Sequence, residues 1–407
     1  MAGPLAHLKV LDLSRVLAGP WAGQILGDLG ADVIKVEHPV RGDDTRGWGP
    51  PFLKDGEGRE TGDAAYFLST NRNKRSVALD IADPKGAEIV RKLAAQSDVV
   101  IENFKVDGLR KYGLDYDSLR VVKPDLVYCS ITGFGQEGPR ATQAGYDFMI
   151  QGMAGLMSIT GLPDDVPGGG PVKVGVAVSD IMTGLYAVIG ILAALAHRDR
   201  TGEGQHVDMA LFDVTLAALA NQAANYLVGG RAPGRLGNAH PNIVPYEAFR
   251  TADGWMILAV GNDGQFRRFC EIAGAPGLAD DPRFSTNAGR VRHRALLTPR
   301  VAELIAQRPL DWWLAALDAA GVPCGPINTL DRAFADPQAV ARGLKVELPH
   351  ASGGTAPGTA CPIRLSRTPP RYELAPPLLG QHTVEVLQER LGMTEDEIRA
   401  LTGGKAG

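Results

Sequence analysis

The first third of the chain alternates short β-branched and aliphatic runs with stretches that carry apolar side chains at helical spacing, and few folds accommodate that alternation. Lys9-Val10-Leu11-Asp12-Leu13 reads as a first strand, Trp21 to Gly30 as a helix, and Asp32-Val33-Ile34-Lys35-Val36-Glu37 as a second strand. Ser76 to Asp80 follows as a strand, and Asp83-Pro84 supplies an N-cap and a first-turn proline for a helix bearing Ile89, Val90, Leu93 and Ala94. Asp98 to Asn103 and Leu126 to Ile131 add two further strands. The pattern predicts an α/β large domain built on a parallel sheet.

A chain of 407 residues has room for two or three domains of about 150 residues each. The large domain is expected over 1–200, followed by a linker over 201–235 centred on the glycine-rich Gly229 to Gly234. A smaller α/β domain, 236–330, opens a new strand and helix series at Trp255 to Val260. Proline and glycine are dense from Pro349 to Pro377, so 331–380 reads as an extended connector. Two short helices, His382 to Leu391 and Thr394 to Leu401, are expected within 381–407 and return to the large domain.

The most apolar stretch, Ile181 to Ala196, lies between Asp180 and His197 and falls short of a bilayer, which takes about 20 residues to span. It reads as a buried helix, and no membrane partner is expected. The net charge of -4 offers no basic block to a phosphate backbone, so nucleic acid is not an expected partner. Cys129, Cys270, Cys324 and Cys361 are scattered, which suggests neither a zinc site nor a disulfide framework, and a cytoplasmic location fits.

Several constellations could carry chemistry. The turn after the first strand, Ser14 to Pro20, lacks the Gly-x-Gly-x-x-Gly fingerprint, so NAD is disfavoured, and the eight histidines lack metal-ligand spacing. A sheet of this kind still binds nucleotide-containing ligands beyond the carboxyl ends of its strands. Asp180, at the mouth of the apolar helix, is either a plain N-cap or a carboxylate kept ionised by helix amides for nucleophilic attack. Gly145-Tyr146-Asp147 is either a surface turn or a loop facing a ligand. Asn71-Arg72-Asn73-Lys74-Arg75 is either a solvated basic face or a phosphate contact. These residues alone point to an α/β enzyme that binds something phosphorylated.

At Leu11-Asp12-Leu13-Ser14, Ala18-Gly19-Pro20, Gly30 to Glu37, Gly42 to Arg46, Asn73 to Ser76, Glu102-Asn103-Phe104, Gly145-Tyr146-Asp147 and Asp208 to Asp213, the sequence resembles the class III coenzyme A-transferases. That family includes formyl-CoA, carnitine-CoA and succinyl-CoA:dicarboxylate transferases and shares its fold with the α-methylacyl-CoA racemases. The resemblance implies a Rossmann-like large domain, a smaller α/β domain and an interlocked homodimer. It implies coenzyme A as co-substrate, an acyl-CoA donor and a carboxylic acid acceptor, with no metal and no NAD.

By the same resemblance Asp180 is the nucleophile, passing through an aspartyl anhydride and an aspartyl-CoA thioester. CoA contacts fall on Val16, Leu17, Ala18, His38, Leu79, Asp80, Asn103, Phe104 and Lys111, and Tyr146 and Asp147 lie beside the thioester. The loop containing Gly261 and Asn262 is placed to stabilise an oxyanion. Trp48 either borders the acyl pocket or is a structural indole. Tyr146 stands where the racemases carry a histidine. Leu17 and the Gly261-Asn262-Asp263 run depart from the formyl-CoA enzymes, which favours larger, succinyl-type dicarboxylates. An acyl-CoA racemase and a non-catalytic CoA-binding protein are the alternatives.

Overall fold

A computed structural model describes residues 3–402. The chain divides into two units: one draws on residues up to Ala154, on Gly175–Ala218 and on residues from Pro337 onward, the other on Gly155–Val174 and Leu219–Asp336. The first unit contains β1 (Lys9–Asp12), β2 (Asp32–Glu37), a side hairpin of β3 (Phe52–Lys54) and β4 (Glu60–Ala64), then β5 (Lys74–Ala78), β6 (Val99–Glu102), β7 (Val127–Thr132) and β8 (Gln205–Ala210). Six of these form one sheet in the order β5-β2-β1-β6-β7-β8, with every neighbouring pair parallel. The chain starts in the middle, runs out to one edge, and crosses to the other half between β1 and β6, the reversal point of a doubly wound sheet.

Alternation along the strands sends Val10, Val33, Ile101 and Cys129 to one face and Leu11, Ile34, Val100 and Tyr128 to the other. The first face is covered by the helices Ala18–Asp28 and Val178–Thr201, through side chains such as Ile25, Leu26, Ala187 and Ile191. The second is covered by Pro84–Ala95, by Tyr116–Val122 and by the C-terminal helices, whose Val386, Leu387 and Ile398 are buried there. As the sequence predicts, Asp83 caps the helix Pro84–Ala95 by accepting the Lys85 N–H.

In the second unit, β9 (Tyr246–Arg250), β10 (Trp255–Ala259) and β11 (Cys324–Pro326) form an antiparallel sheet in the order β11-β10-β9. Phe249, Met256 and Leu258 of this sheet share a core with Phe266, Phe269, Leu297 and Trp313 from the helices around it. Back in the first unit, β12 (Lys345–Pro349) and β13 (Thr355–Thr359) pair as a hairpin.

Three sequence expectations are corrected. Residues 201–235 are not a linker: β8 extends the large sheet, and the helices Leu211–Ala218 and Ala220–Gly229 follow it. Gly202 and Gly230 are left-handed caps that end helices, with φ of 77° and 66°. The apolar helix is Val178–Thr201, not Ile181 to Ala196; by length and hydropathy, 1.9 over its most apolar window, it is long enough to cross a membrane. One face of it lies on the sheet through Thr183, Ala187, Val188 and Ile191, while Leu185, Tyr186 and Ile189 stay exposed. The connector 331–380 holds the β12–β13 hairpin and the helices Leu330–Ala335 and Pro337–Ala341.

The basic cluster is neither a solvated face nor a phosphate contact. Arg72 forks onto Asp28 at 2.8 and 2.6 Å and donates to the Thr359 carbonyl at 2.7 Å. Asn73 donates to the Arg371 carbonyl and accepts the Glu373 and Leu374 amides, so the pair pins the returning proline-rich segment. Lys74 is fully buried: its ammonium donates to Asp12 Oδ2 at 2.8 Å, the Pro20 carbonyl at 2.9 Å and Asn71 Oδ1 at 3.0 Å. A side chain on Gly23 would come within 2.9 Å of the same Asp12 oxygen, so glycine lets the helix Ala18–Asp28 lie against the pair.

Burial opposes ionisation of Asp12, but Lys74 and Lys35 together override it and hold the carboxyl below its ordinary range. Replacing Lys74 by Met strands Asp12, the Pro20 carbonyl and Asn71 without their common donor. The expected cost is about 3–5 kcal/mol, as for breaking one side of a buried ion pair. Urea unfolding checks it, and an unchanged midpoint would contradict the role given to Lys74.

Candidate active site

The turns at the carboxyl ends of β1, β2, β5 and β6 surround a cavity of about 600 Å³ in the first unit. It sits at the reversal point of the sheet, where loop amides and helix starts gather. The turn after β1 forms one wall. Val16 there takes φ 72°, a conformation that a β-branched residue adopts only when held. The Asp43 carboxylate holds it, accepting the Val16 N–H at 3.2 Å while also accepting Thr45 N–H and Oγ1.

Asp43 is in turn held by Lys35, a buried lysine of β2, at 2.9 Å. Burial works against the Asp43 charge, but Lys35 and the Thr45 amide bring its carboxyl down to about 2. Glu37, two residues along β2, accepts the Asp43 N–H and forks onto Arg46 at 2.8 and 2.7 Å. Arg46 continues to Asp63 at 2.6 Å.

On the opposite wall the turn after β6 clasps the turn after β1. Asn103 accepts the Arg15 N–H at 2.8 Å and donates to the Arg15 carbonyl at 2.6 Å. The Arg15 guanidinium lies 5.3 Å from the Phe104 ring centroid and 3.2 Å from Asp44. Of the residues singled out in the sequence, Val16, Leu17, Ala18, His38, Leu79 and Asp80 line this cavity. Asn103, Phe104, Lys111, Tyr146 and Asp180 line it as well. Sequence reading missed its other cations, Arg15, Arg41 and Lys105, because they are isolated along the chain.

Asp180 lies in the first turn of Val178–Thr201, where Ala177, not Asp180, occupies the N-cap position. The cap is supplied from outside: Asp147 Oδ1 accepts the Ser179 N–H at 2.8 Å and stands 3.4 Å from the Asp180 N–H. Gln151 Nε2 holds the other Asp147 oxygen at 2.7 Å. Asp147 is therefore a cap for the helix and is not among the cavity-lining residues. The amides expected to keep Asp180 ionised are engaged by Asp147. Burial, together with the neighbouring Asp147 charge, pushes the Asp180 carboxyl up to about 7.

Tyr66, which no motif marks, belongs to this neighbourhood. Burial and the charges of Asp180, Asp147 and Asp43 push its phenol up to about 12, so it remains a neutral hydrogen-bond donor. Trp48 packs edge-on against it, ring centroids 5.3 Å apart; it is about half exposed and is not among the cavity-lining residues, which agrees with a partly buried indole packed on Tyr66.

Gly261 and Asn262 belong to the second unit. Asn262 caps the helix Asp263–Ile272 through the Gln265 N–H, and the Gly261 N–H is donated to Gln265 Oε1 at 2.8 Å. The Gly261 amide is thus taken by Gln265 in this structure. Among the described residues no group of three or more His, Cys, Asp or Glu side chains could hold a metal ion.

Residues 5–383 match the family model described as CoA-transferase family III. The chain is 57% identical over 390 residues to the succinate–glutarate CoA-transferase of Agrobacterium fabrum, covering 95% of each chain. It is 45% identical to the succinyl-CoA:glutarate CoA-transferase of Homo sapiens, covering 95% of this chain and 86% of the human one. Among solved structures, a CAIB/BAIF family protein from Brucella suis superposes with a TM-score of 0.84 at 53% identity, over 96% of this chain and 100% of that one. A site at the reversal point of a doubly wound sheet, a destabilised carboxylate within it, and a family match over nearly the whole length agree: the chain belongs to CoA-transferase family III.

Proposed function

We propose that this CoA-transferase moves CoA from succinyl-CoA to glutarate or a closely related dicarboxylate. The observation that carries the chemistry is Asp180, a carboxyl inside the cavity raised to about 7 by burial and by Asp147. A carboxylate destabilised in this way is a stronger nucleophile once ionised. The substrates come from the relatives' names, above all the succinate–glutarate enzyme at 57% identity.

In this reading the CoA portion lies between the turns after β1 and β6, with Arg15, Arg41, Lys105 and Lys111 available to its phosphates. Asp180 attacks the succinyl thioester, giving a succinyl–aspartyl anhydride and CoA thiolate. The thiolate attacks the aspartyl carbonyl, forming the Asp180–CoA thioester and releasing succinate. Glutarate then attacks that thioester, expelling CoA thiolate and forming a glutaryl–aspartyl anhydride, and the thiolate attacks the glutaryl carbonyl to give glutaryl-CoA and the free Asp180 carboxylate. One thioester is exchanged for another, so neither water nor an external energy source enters. In this reading the Tyr66 phenol, kept neutral by burial and by the charges of Asp180, Asp147 and Asp43, donates to a carboxylate or a developing oxyanion near Asp180.

The protein works in this reading as an interlocked homodimer. The family resemblance supports that, as do apolar side chains left exposed on two helices: Leu185 and Ile189 on one, Leu227 and Val228 on the other.

Incubation with unlabelled succinyl-CoA and labelled glutarate tests the reaction. Label should enter the thioester pool as glutaryl-CoA with matching release of succinate. Thioester loss without transfer of label would overturn the assignment, and a panel of C4 to C6 dicarboxylates would rank the acceptors.

The electrostatics make a separate prediction. Only ionised Asp180 attacks, so kcat/KM for succinyl-CoA should rise with pH through about 7. Asp147→Asn keeps a cap for the helix but removes the adjacent negative charge, which makes ionisation of Asp180 easier. The rising limb should therefore move to lower pH. A limb that stays in place, or moves up, would contradict the coupling.

A further inference from the structure

Beside the main cavity lies a smaller polar recess of about 180 Å³, and Lys105, Val106 and Gly108 line both. Three neighbouring strands contribute its floor: Glu102 ends β6, Ser130 stands opposite it on β7, and His206 lies on β8. The buried Glu102 carboxylate accepts the Phe104 N–H at 2.7 Å and is hydrogen-bonded to Ser130. Ser130 Oγ lies 2.9 Å from His206 Nε2, and the His206 ring stacks on Tyr116 with centroids 5.1 Å apart. A continuous line of contacts thus runs from β8 across the sheet to the turn that walls the main cavity.

Nothing in the exchange chemistry uses this line. Burial, with the like charge of Asp208 added, pushes the Glu102 carboxyl up to about 7, so the group is held at a cost to stability. What that carboxylate fixes is the Phe104 amide, one residue beyond Asn103. Asn103 is the side chain that clasps both backbone groups of Arg15, and Val16, the next residue, carries the left-handed backbone of the opposite wall.

We propose that Glu102, anchored through Ser130 and His206, is a positioning residue for CoA: it fixes the Phe104 amide and so holds the Asn103–Arg15 clasp in the geometry that receives the CoA portion of the substrate. The proposal rests on the CoA-transferase reading of the main cavity. Glu102 touches no reacting atom. Its loss is therefore felt in binding, and the bond-making steps at Asp180 are left alone.

Calorimetric titration of CoA and steady-state kinetics on full-length Glu102→Gln, Glu102→Ala and Ser130→Ala test it. Glutamine still accepts the Phe104 N–H and bonds to Ser130, so its CoA Kd should stay close to wild type. Alanine leaves the amide without its acceptor, and CoA Kd and acyl-CoA KM should both rise about tenfold or more while kcat is little altered. Ser130→Ala should weaken CoA binding in the same direction by less. If the alanine variant at 102 fails to fold, Ser130→Ala decides, and an unchanged CoA Kd in it overturns the proposal. A fall in kcat with Kd intact, in any of the three, overturns it too. Wild-type protein that binds no CoA would instead defeat the reading of the cavity, whereas wild type binding CoA no better than Glu102→Ala defeats the positioning role alone.

Discussion

Two lysines that water never reaches organise the carboxyl edge of the sheet. Lys35 and Lys74 sit on adjacent strands, fully buried, and each faces a buried aspartate, Asp43 and Asp12. Removing four charges from water is costly, and the pairs survive because every charge is also hydrogen-bonded. Lys35 donates to the Ser14 carbonyl, Asp12 accepts the Ser14 hydroxyl and amide, and Asp43 accepts the Val16 N–H. Both pairs therefore converge on the turn after β1 and fix its unusual backbone. An apolar core could make the sheet as stable, but it could not specify where that turn's amides point.

The same logic, inverted, governs Asp180. Around Lys35 and Lys74 the fold supplies partners for each charge, whereas around Asp180 it supplies burial and a second carboxylate. Asp147 makes this possible by taking the Ser179 amide at the helix start, which otherwise would stabilise an ionised side chain there. The roles the sequence left open are thereby divided: Asp147, expected beside the thioester, caps the helix, and Asp180, whose spacing alone allowed a cap, does not cap it. Tyr66 stays protonated in the same field of negative charge, so a neutral phenol accompanies the destabilised carboxylate.

Five of the six strands of the large sheet were legible as short β-branched and aliphatic runs, whereas β8, with polar Gln205, His206 and Asp208 among its residues, was read as linker. The cavity residues along them, from Leu17 and Ala18 to Asn103 and Phe104, were legible from family motifs. What failed was anything settled by contacts distant in sequence. The cluster Arg72 to Lys74 looked exposed because its acids, Asp28 and Asp12, lie more than forty residues earlier. The start of the long helix was misplaced because Ala177 cannot cap and the capping carboxylate comes from Asp147. The glycine-rich run from Gly229 to Gly234 suggested a linker, yet Gly230 terminates a helix in left-handed backbone. Tyr66 had no motif at all, and only the fold brings it near Asp180.

The central claim is that the Asp180 carboxylate makes a covalent bond to substrate. Mass spectrometry of the protein incubated with succinyl-CoA alone and quenched with hydroxylamine tests it most directly, since hydroxylamine converts an aspartyl anhydride or thioester to a stable hydroxamate. The account predicts the modification on the peptide containing Asp180, and its absence from a folded Asp180→Asn protein that still binds CoA. Modification of a different residue, or unmodified Asp180 in protein that is actively exchanging CoA, would contradict it.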